Sequence, residues 1–163
     1  MVKRSTVGKS ISKRNSVNKH RKTSKNINLS KHNNSSNKCA KSHIVRTLLE
    51  MINIVKLYHW KTRSFAEHKA TDELHGRLND NVDKFVEVYL GKDGSRVENW
   101  NKHLQIVQFD NAPKFKDRIY EYREFLTNLN RCFDPKKDSD LLNIRDEILG
   151  DLNQFLYLST FNK

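Results

Sequence analysis

No apolar run in this chain of 163 residues approaches the 18 residues that a membrane span requires. No apolar segment follows the first basic residues, so the sequence predicts no secretory leader. Cysteine is scarce: Cys39 and Cys132 are far apart and outside any clustered Cys and His pattern. That argues against a zinc motif and against a disulfide framework, and it fits a reducing compartment. Asp and Glu are missing altogether from residues 1–43, which hold 12 Lys and Arg. Phe, Tyr and Trp are missing there too. Without aromatics base stacking is excluded, which leaves phosphate contacts that carry no sequence preference.

What the N-terminal segment does have is charge of one sign. The net charge is +12, and residues 44–163 hold 19 basic and 19 acidic residues, so the whole excess lies before residue 44. A run of Lys, Arg, Ser and Asn with scattered single aliphatics buries too little apolar surface to offset the entropy of ordering. Residues 1–42 are therefore predicted to form a disordered basic tail. Flexible cations neutralise phosphates without a fold. Lys3, Arg4, Lys9, Lys13, Arg14, Lys19, Arg21, Lys22 and Lys25 are the candidate nucleic-acid contacts, non-specific and directed at the phosphate backbone. The same composition also fits an organelle transit peptide or, through Lys19-His-Arg-Lys22, a nuclear address.

From about His43 apolar residues recur at helical spacing, which marks 43–163 as the folded domain. A first helix is predicted over Ile44–Lys61, with Leu48, Ile52, Val55 and His59 on one face. A second runs from Ser64 to Leu90, with Leu74, Leu78, Val82, Phe85 and Tyr89 as its stripe, and the Gly91-Lys-Asp-Gly94 run ends it. The connection that follows is long, with a short helix expected around Val97–Leu104. Asn111-Ala-Pro113 opens a third helix, whose stripe is Phe115, Ile119, Tyr122, Leu126, Leu129 and Phe133; Asp134-Pro135 stops it. A fourth begins near Asp138 or Asp140 and carries Leu141, Ile144, Ile148, Leu152 and Phe155. Four amphipathic helices with one stripe each share a core most simply as an antiparallel four-helix bundle, so the fold class is all-α. The long connection is compatible with a crossover of the ferritin type.

The second helix has another face. His68, Asp72, Asp83 and Glu87 are spaced 4, 11 and 4 apart. At about 100° per residue they fall within an arc of about 100°, centred roughly 120° from the apolar stripe. Imidazole with carboxylates suits iron, manganese or zinc. Asp72 and Asp83 are about 16 Å apart along one helix, so no single ion reaches both pairs in one chain. Two copies crossing antiparallel near residues 77 and 78 bring His68 and Asp72 of one opposite Asp83 and Glu87 of the other, giving two identical sites. Gly76 lies beside that crossing and admits a close approach, at a cost of about 1 kcal/mol to its own helix. His59 ends the first helix, and the turn at 62–64 folds it back toward His68 as a further ligand. Trp60 is assigned to packing, and His75 and His103 to the surface or to packing. The Glu-x-x-His pairs of di-iron sites held inside one bundle are absent.

The run His59-Trp60-Lys-Thr-Arg-Ser-Phe65-Ala-Glu-His68-Lys-Ala-Thr-Asp72-Glu-Leu74 resembles the ferroxidase signature of the Dps family, the ferritin-like DNA-binding proteins of starved cells. His59, His68, Asp72, Asp83 and Glu87 match its ligands one for one, although the two histidines are closer in sequence by about three residues. The end of the chain, from Ile148 to Phe161, resembles the last helix of that family. The resemblance covers about 44–163 and implies a ferritin-like bundle, a hollow dodecamer and iron sites at the dimer interface. It also implies oxidation of Fe(II), preferably by hydrogen peroxide. The lysine-rich DNA-holding tail of that family has its counterpart in residues 1–43. The wording around His59 is also similar to an uncharacterised ferritin-like family of large DNA viruses. The sequence thus predicts an iron-binding homo-oligomer with a nucleic-acid partner and no membrane partner. It would be cytoplasmic or nucleic-acid-associated, with the nucleus or a virion as further settings. A non-catalytic packaging or virion structural protein on the same scaffold is the competing reading.

Overall fold

A computed structural model describes residues 38–98 and 103–161. Nearly all of the basic segment, including every candidate contact from Lys3 to Lys25, lies outside the described residues. Among the described residues there is no strand, and four long helices carry the chain: α1 (Lys41–Lys61), α2 (Phe65–Gly91), α3 (Ala112–Asn128) and α4 (Ser139–Leu158). Short 3-10 turns extend α3 over Leu129–Arg131 and α4 over Ser159–Phe161. The short helix expected around 97–104 does not include its outer residues: 95–98 and 103–109 are non-helical, and 99–102 lie outside the described residues. No helix of the described chain is long and apolar enough to cross a membrane.

Local chemistry explains the ends. Ser64 caps α2 by accepting from the Glu67 N–H, and Asn111 caps α3 by accepting from the Lys114 N–H. Pro113 sits in the first turn of α3, where its missing N–H leaves no hydrogen bond unmade. After α2, Gly94 takes a φ of +67°, a conformation that side chains with a Cβ resist. At the far end of α3 the Asp134 carboxylate accepts from the Lys136 and Lys137 N–H groups, which holds it below its ordinary pKa and turns the chain into α4. Arg145 on α4 is buried and donates to the Leu126 carbonyl, which also accepts from the Leu129 N–H at the end of α3.

The core joins all four stripes. Leu74, Leu78, Val82 and Phe85 of α2 are buried, as are Phe115, Ile119, Tyr122 and Leu126 of α3 and Leu141, Ile144, Ile148, Leu152 and Phe155 of α4. On α1 the buried set is Ile44, Val45, Leu48, Met51, Ile54, Val55, Tyr58 and His59, which keeps Leu48, Val55 and His59 of the expected face and leaves Ile52 at its margin.

Contacts between ends give the directions. Lys41 pairs with Asp93 while Tyr58 bonds Glu67, so α1 and α2 are antiparallel. Asn81 bonds Asp151 and Lys92 pairs with Asp140, so α2 and α4 are antiparallel. Lys116 donates to the Ser159 carbonyl, so α3 and α4 are antiparallel too. It follows that α2 and α3 run the same way, and the segment between them must return along the molecule. Tyr58 stacked on Phe115 and His43 edge-on to Phe125 complete the circuit between α1 and α3.

One expectation fails here. Cys39 and Cys132 form a disulfide that ties the segment before α1 to the turn after α3. Separation in sequence argued against it, but α1 and α3 become neighbours only in the folded chain. With the bond formed, the cysteines give no ground for a reducing compartment. A link across 93 residues restricts the unfolded chain strongly, by about 4–5 kcal/mol in the chain-entropy account and typically about 2–4 kcal/mol in measurement. Reduction, or Cys132→Ser, should therefore lower the urea midpoint by a loss of about 2–4 kcal/mol. Equal midpoints with and without reductant would show that the bond contributes nothing.

Candidate metal centre

The carboxylate of Glu67, three residues into α2, accepts hydrogen bonds from Tyr58 Oη and Thr62 Oγ1, each at 2.7 Å. Thr62 Oγ1 in turn accepts from the Ser64 N–H. Burial, followed by the hydrogen bond and charge of Glu67, raises the Tyr58 hydroxyl far above its ordinary pKa and keeps it a donor. The turn between α1 and α2 therefore has one register.

That register lays His59 on His68. The two rings are stacked with centroids 3.9 Å apart and planes 23° off parallel. His59 Nδ1 lies 3.0 Å from the carbonyl oxygen of His68, and His68 Nδ1 lies 3.0 Å from that of His59. A carbonyl oxygen only accepts, so each Nδ1 carries the proton. In the neutral imidazole this leaves each Nε2 with its lone pair outward. Metal-ligating histidines are oriented in this way, with the second nitrogen donating to a backbone carbonyl.

His59 is buried, 6% exposed, and its Nε2 points at Asp72 Oδ1 across 3.7 Å. The gap is too long for a hydrogen bond. It is slightly wider than the about 3.0–3.5 Å between two ligand atoms that each sit near 2.1 Å from one ion. Lys56 Nζ is also 3.7 Å from Asp72 Oδ1, so an ammonium shares this carboxylate. His75, half-buried, belongs to the same neighbourhood. Desolvation first, and then Lys56, lower its pKa, His59 adds to the lowering, and Asp72 acts in the opposite sense. The half-buried ring fits the assignment of His75 to the surface or to packing, and its position seven after His68 on one helix is the signal that places it beside the site.

The structure thus brings His59, His68 and Asp72 together. It does not bring Asp83 and Glu87 to them. Both are exposed on the same helix, without a hydrogen bond or ion pair among the described residues. Among the described residues, no three His, Cys, Asp or Glu of a single chain are grouped closely enough to hold a metal ion. Gly76 is exposed, and among the described residues a Cβ there would meet nothing within 4 Å, so none of them requires glycine. Trp60 departs from its expected role: it is 68% exposed, with Lys56 Nζ 5.7 Å from its ring centroid. His103 is exposed, in line with its assignment.

Comparison with known proteins adds a family but no activity. An uncharacterised 14.6 kDa protein from the mobD-ri intergenic region of Enterobacteria phage T4 is 47% identical over 38 residues, which is 23% of this chain and 30% of that protein. The chain therefore spans less than a third of the length of this curated relative. No solved structure matches it. A family model matches residues 59–158, which begins at His59 and takes in His68, Asp72, Asp83 and Glu87, and on that match the chain belongs to DUF5856, a family of unknown function.

Proposed function

We propose that the protein is a Dps-like iron-binding protein that oxidises Fe(II) at sites shared between two copies, with a basic tail that holds nucleic acid. The observation that carries this reading is the reciprocal pair of imidazoles. Each turns Nδ1 onto a backbone carbonyl, and His59 aims Nε2 at Asp72. In this reading His59, His68 and Asp72 come from one chain, and Asp83 and Glu87 from its partner. The helix directions and the long return between α2 and α3 support a ferritin-like antiparallel four-helix bundle with a crossover, and the resemblance to the Dps family implies closure into a dodecamer. Iron is the substrate: two Fe(II) each give one electron to one peroxide, which takes up two protons and leaves as water. The carboxylates favour the more highly charged product, and the imidazoles hold the ion in place.

Mixed oligomers test the shared site. Asp72→Ala or Asp83→Ala in every subunit should abolish Fe(II) oxidation, followed as iron-dependent absorbance. In a verified heterodimer of the two variants, one site carries both lesions and the other carries neither. Such heterodimers should keep about half of the wild-type sites, by the symmetry of the interface. Zero recovery would rule out the shared arrangement.

Lys56 gives a second test. Its ammonium competes with a cation for Asp72. Lys56→Met should tighten Mn(II) binding by up to about fivefold, on the scale of a charged pair worth about 1 kcal/mol. Unchanged or weaker binding in titration calorimetry would mean that the ion does not use Asp72.

The tail has its own test. Residues 1–37 hold ten Lys and Arg and no acid. Deleting them spares Cys39 and α1. The shortened protein should lose DNA retardation at moderate salt, and the intact protein should lose it steeply as salt rises. Equal retardation by both at the same salt would refute the assignment. Retardation by an intact protein that does not oxidise iron would favour the packaging reading.

A further inference from the structure

The outward face of α2 reads alike from either end. About the midpoint between residues 77 and 78, Phe65 is matched with Leu90, His68 with Glu87, Asp72 with Asp83 and Gly76 with Asn79. The face is uncovered by its own chain. Phe65 is 78% exposed, Gly76 has open space above it, and Asp83 and Glu87 have no partner among the described residues. A helix face with this symmetry fits a second copy of itself crossing antiparallel at Gly76 and Asn79, with a Phe65 and Leu90 contact at each end.

Such a crossing puts acid against acid. Asp72 meets Asp83 of the partner subunit, with Glu87 of the partner subunit one turn further on. Each half of the interface then gathers three carboxylates around His59 and His68. Among the described residues, the ammonium that an ion pair gives to this set is that of Lys56. Like charges placed opposite one another oppose association. Two apolar contacts are a small counterweight against the freedom lost on binding.

We infer that self-association through α2 depends on a divalent cation: the ion is the element that turns two mutually repelling faces into one interface. The inference rests on the shared-site reading above and adds to it that the apo faces stay apart. Loading and assembly are then a single linked equilibrium, in which the ion binds the pair and hardly binds the lone chain.

The test uses the full chain and Mn(II) as a divalent probe that needs no oxidant. Sedimentation equilibrium is run in chelator and then at rising free Mn(II), with the Mn(II) electron-spin signal reporting bound metal in the same samples. The mass should at least double on adding Mn(II). The association constant should climb with about the second power of free Mn(II), since symmetry gives two sites per pair. Asp72→Asn with Asp83→Asn removes the repulsion at exposed positions. That variant should associate in chelator at least tenfold more tightly than the wild type and ignore Mn(II). Phe65→Ser should weaken the Mn(II)-driven step while leaving circular dichroism unchanged. If Mn(II) binds and the mass is the same as in chelator, the linkage is wrong and the metal site stands. If a stable pair forms in chelator and no Mn(II) binds, both fail.

Discussion

The Glu67 carboxylate fixes the three-residue turn between α1 and α2 by accepting from Tyr58 and Thr62. Both donors come from the α1 side, so the last turn of α1 cannot rotate against the first turn of α2. His59 follows Tyr58 directly and His68 follows Glu67 directly. The same lock that satisfies a buried phenol therefore presses one imidazole onto the other and aims both Nδ1 atoms at carbonyls. Move the turn by one residue and the stack, the carbonyl contacts and the approach to Asp72 are lost together. The site is precise because it is built on helix ends rather than on a loop.

Much of this was legible. The apolar stripes of α2, α3 and α4 were readable because a 3.6-residue period leaves few choices once the stripe is long. The meeting of His59 and His68 was readable because three residues cannot carry the chain anywhere else. The distance between Asp72 and Asp83 was fixed by helical rise alone. What stayed hidden depends on the order of helices around the core. The bond between Cys39 and Cys132 needs α1 beside α3, and nothing in either helix names its neighbour. Trp60 was misjudged because aromaticity implies burial only on average; here its position past the buried face of α1 leaves it outside. The place of His75 beside the site was missed because its neighbours Lys56 and His59 belong to another helix.

The direction of α3 matters for the same face of α2. Because α2 and α3 run the same way, the chain returns outside the core before α3 begins. Residues 103–109 lie in that return, and Gln105 donates its N–H to Glu50 on α1. The return therefore runs along α1 at that point. On α2 the positions around Gly76, Asn79 and Asp83 remain exposed. That exposed face of α2 is the one on which the proposed shared site depends.

The disulfide has a mechanical side. Residues 1–37 leave the described domain just ahead of Cys39, and Cys39 is covalently joined to the turn after α3. Tension applied through that segment would not peel α1 from its first residue. It would divide at Cys39 and run into two helices at once, one of them anchored beyond by Arg145 on α4. A pull on the N-terminal side of Cys39 is thus met like one on a mast stepped in two timbers.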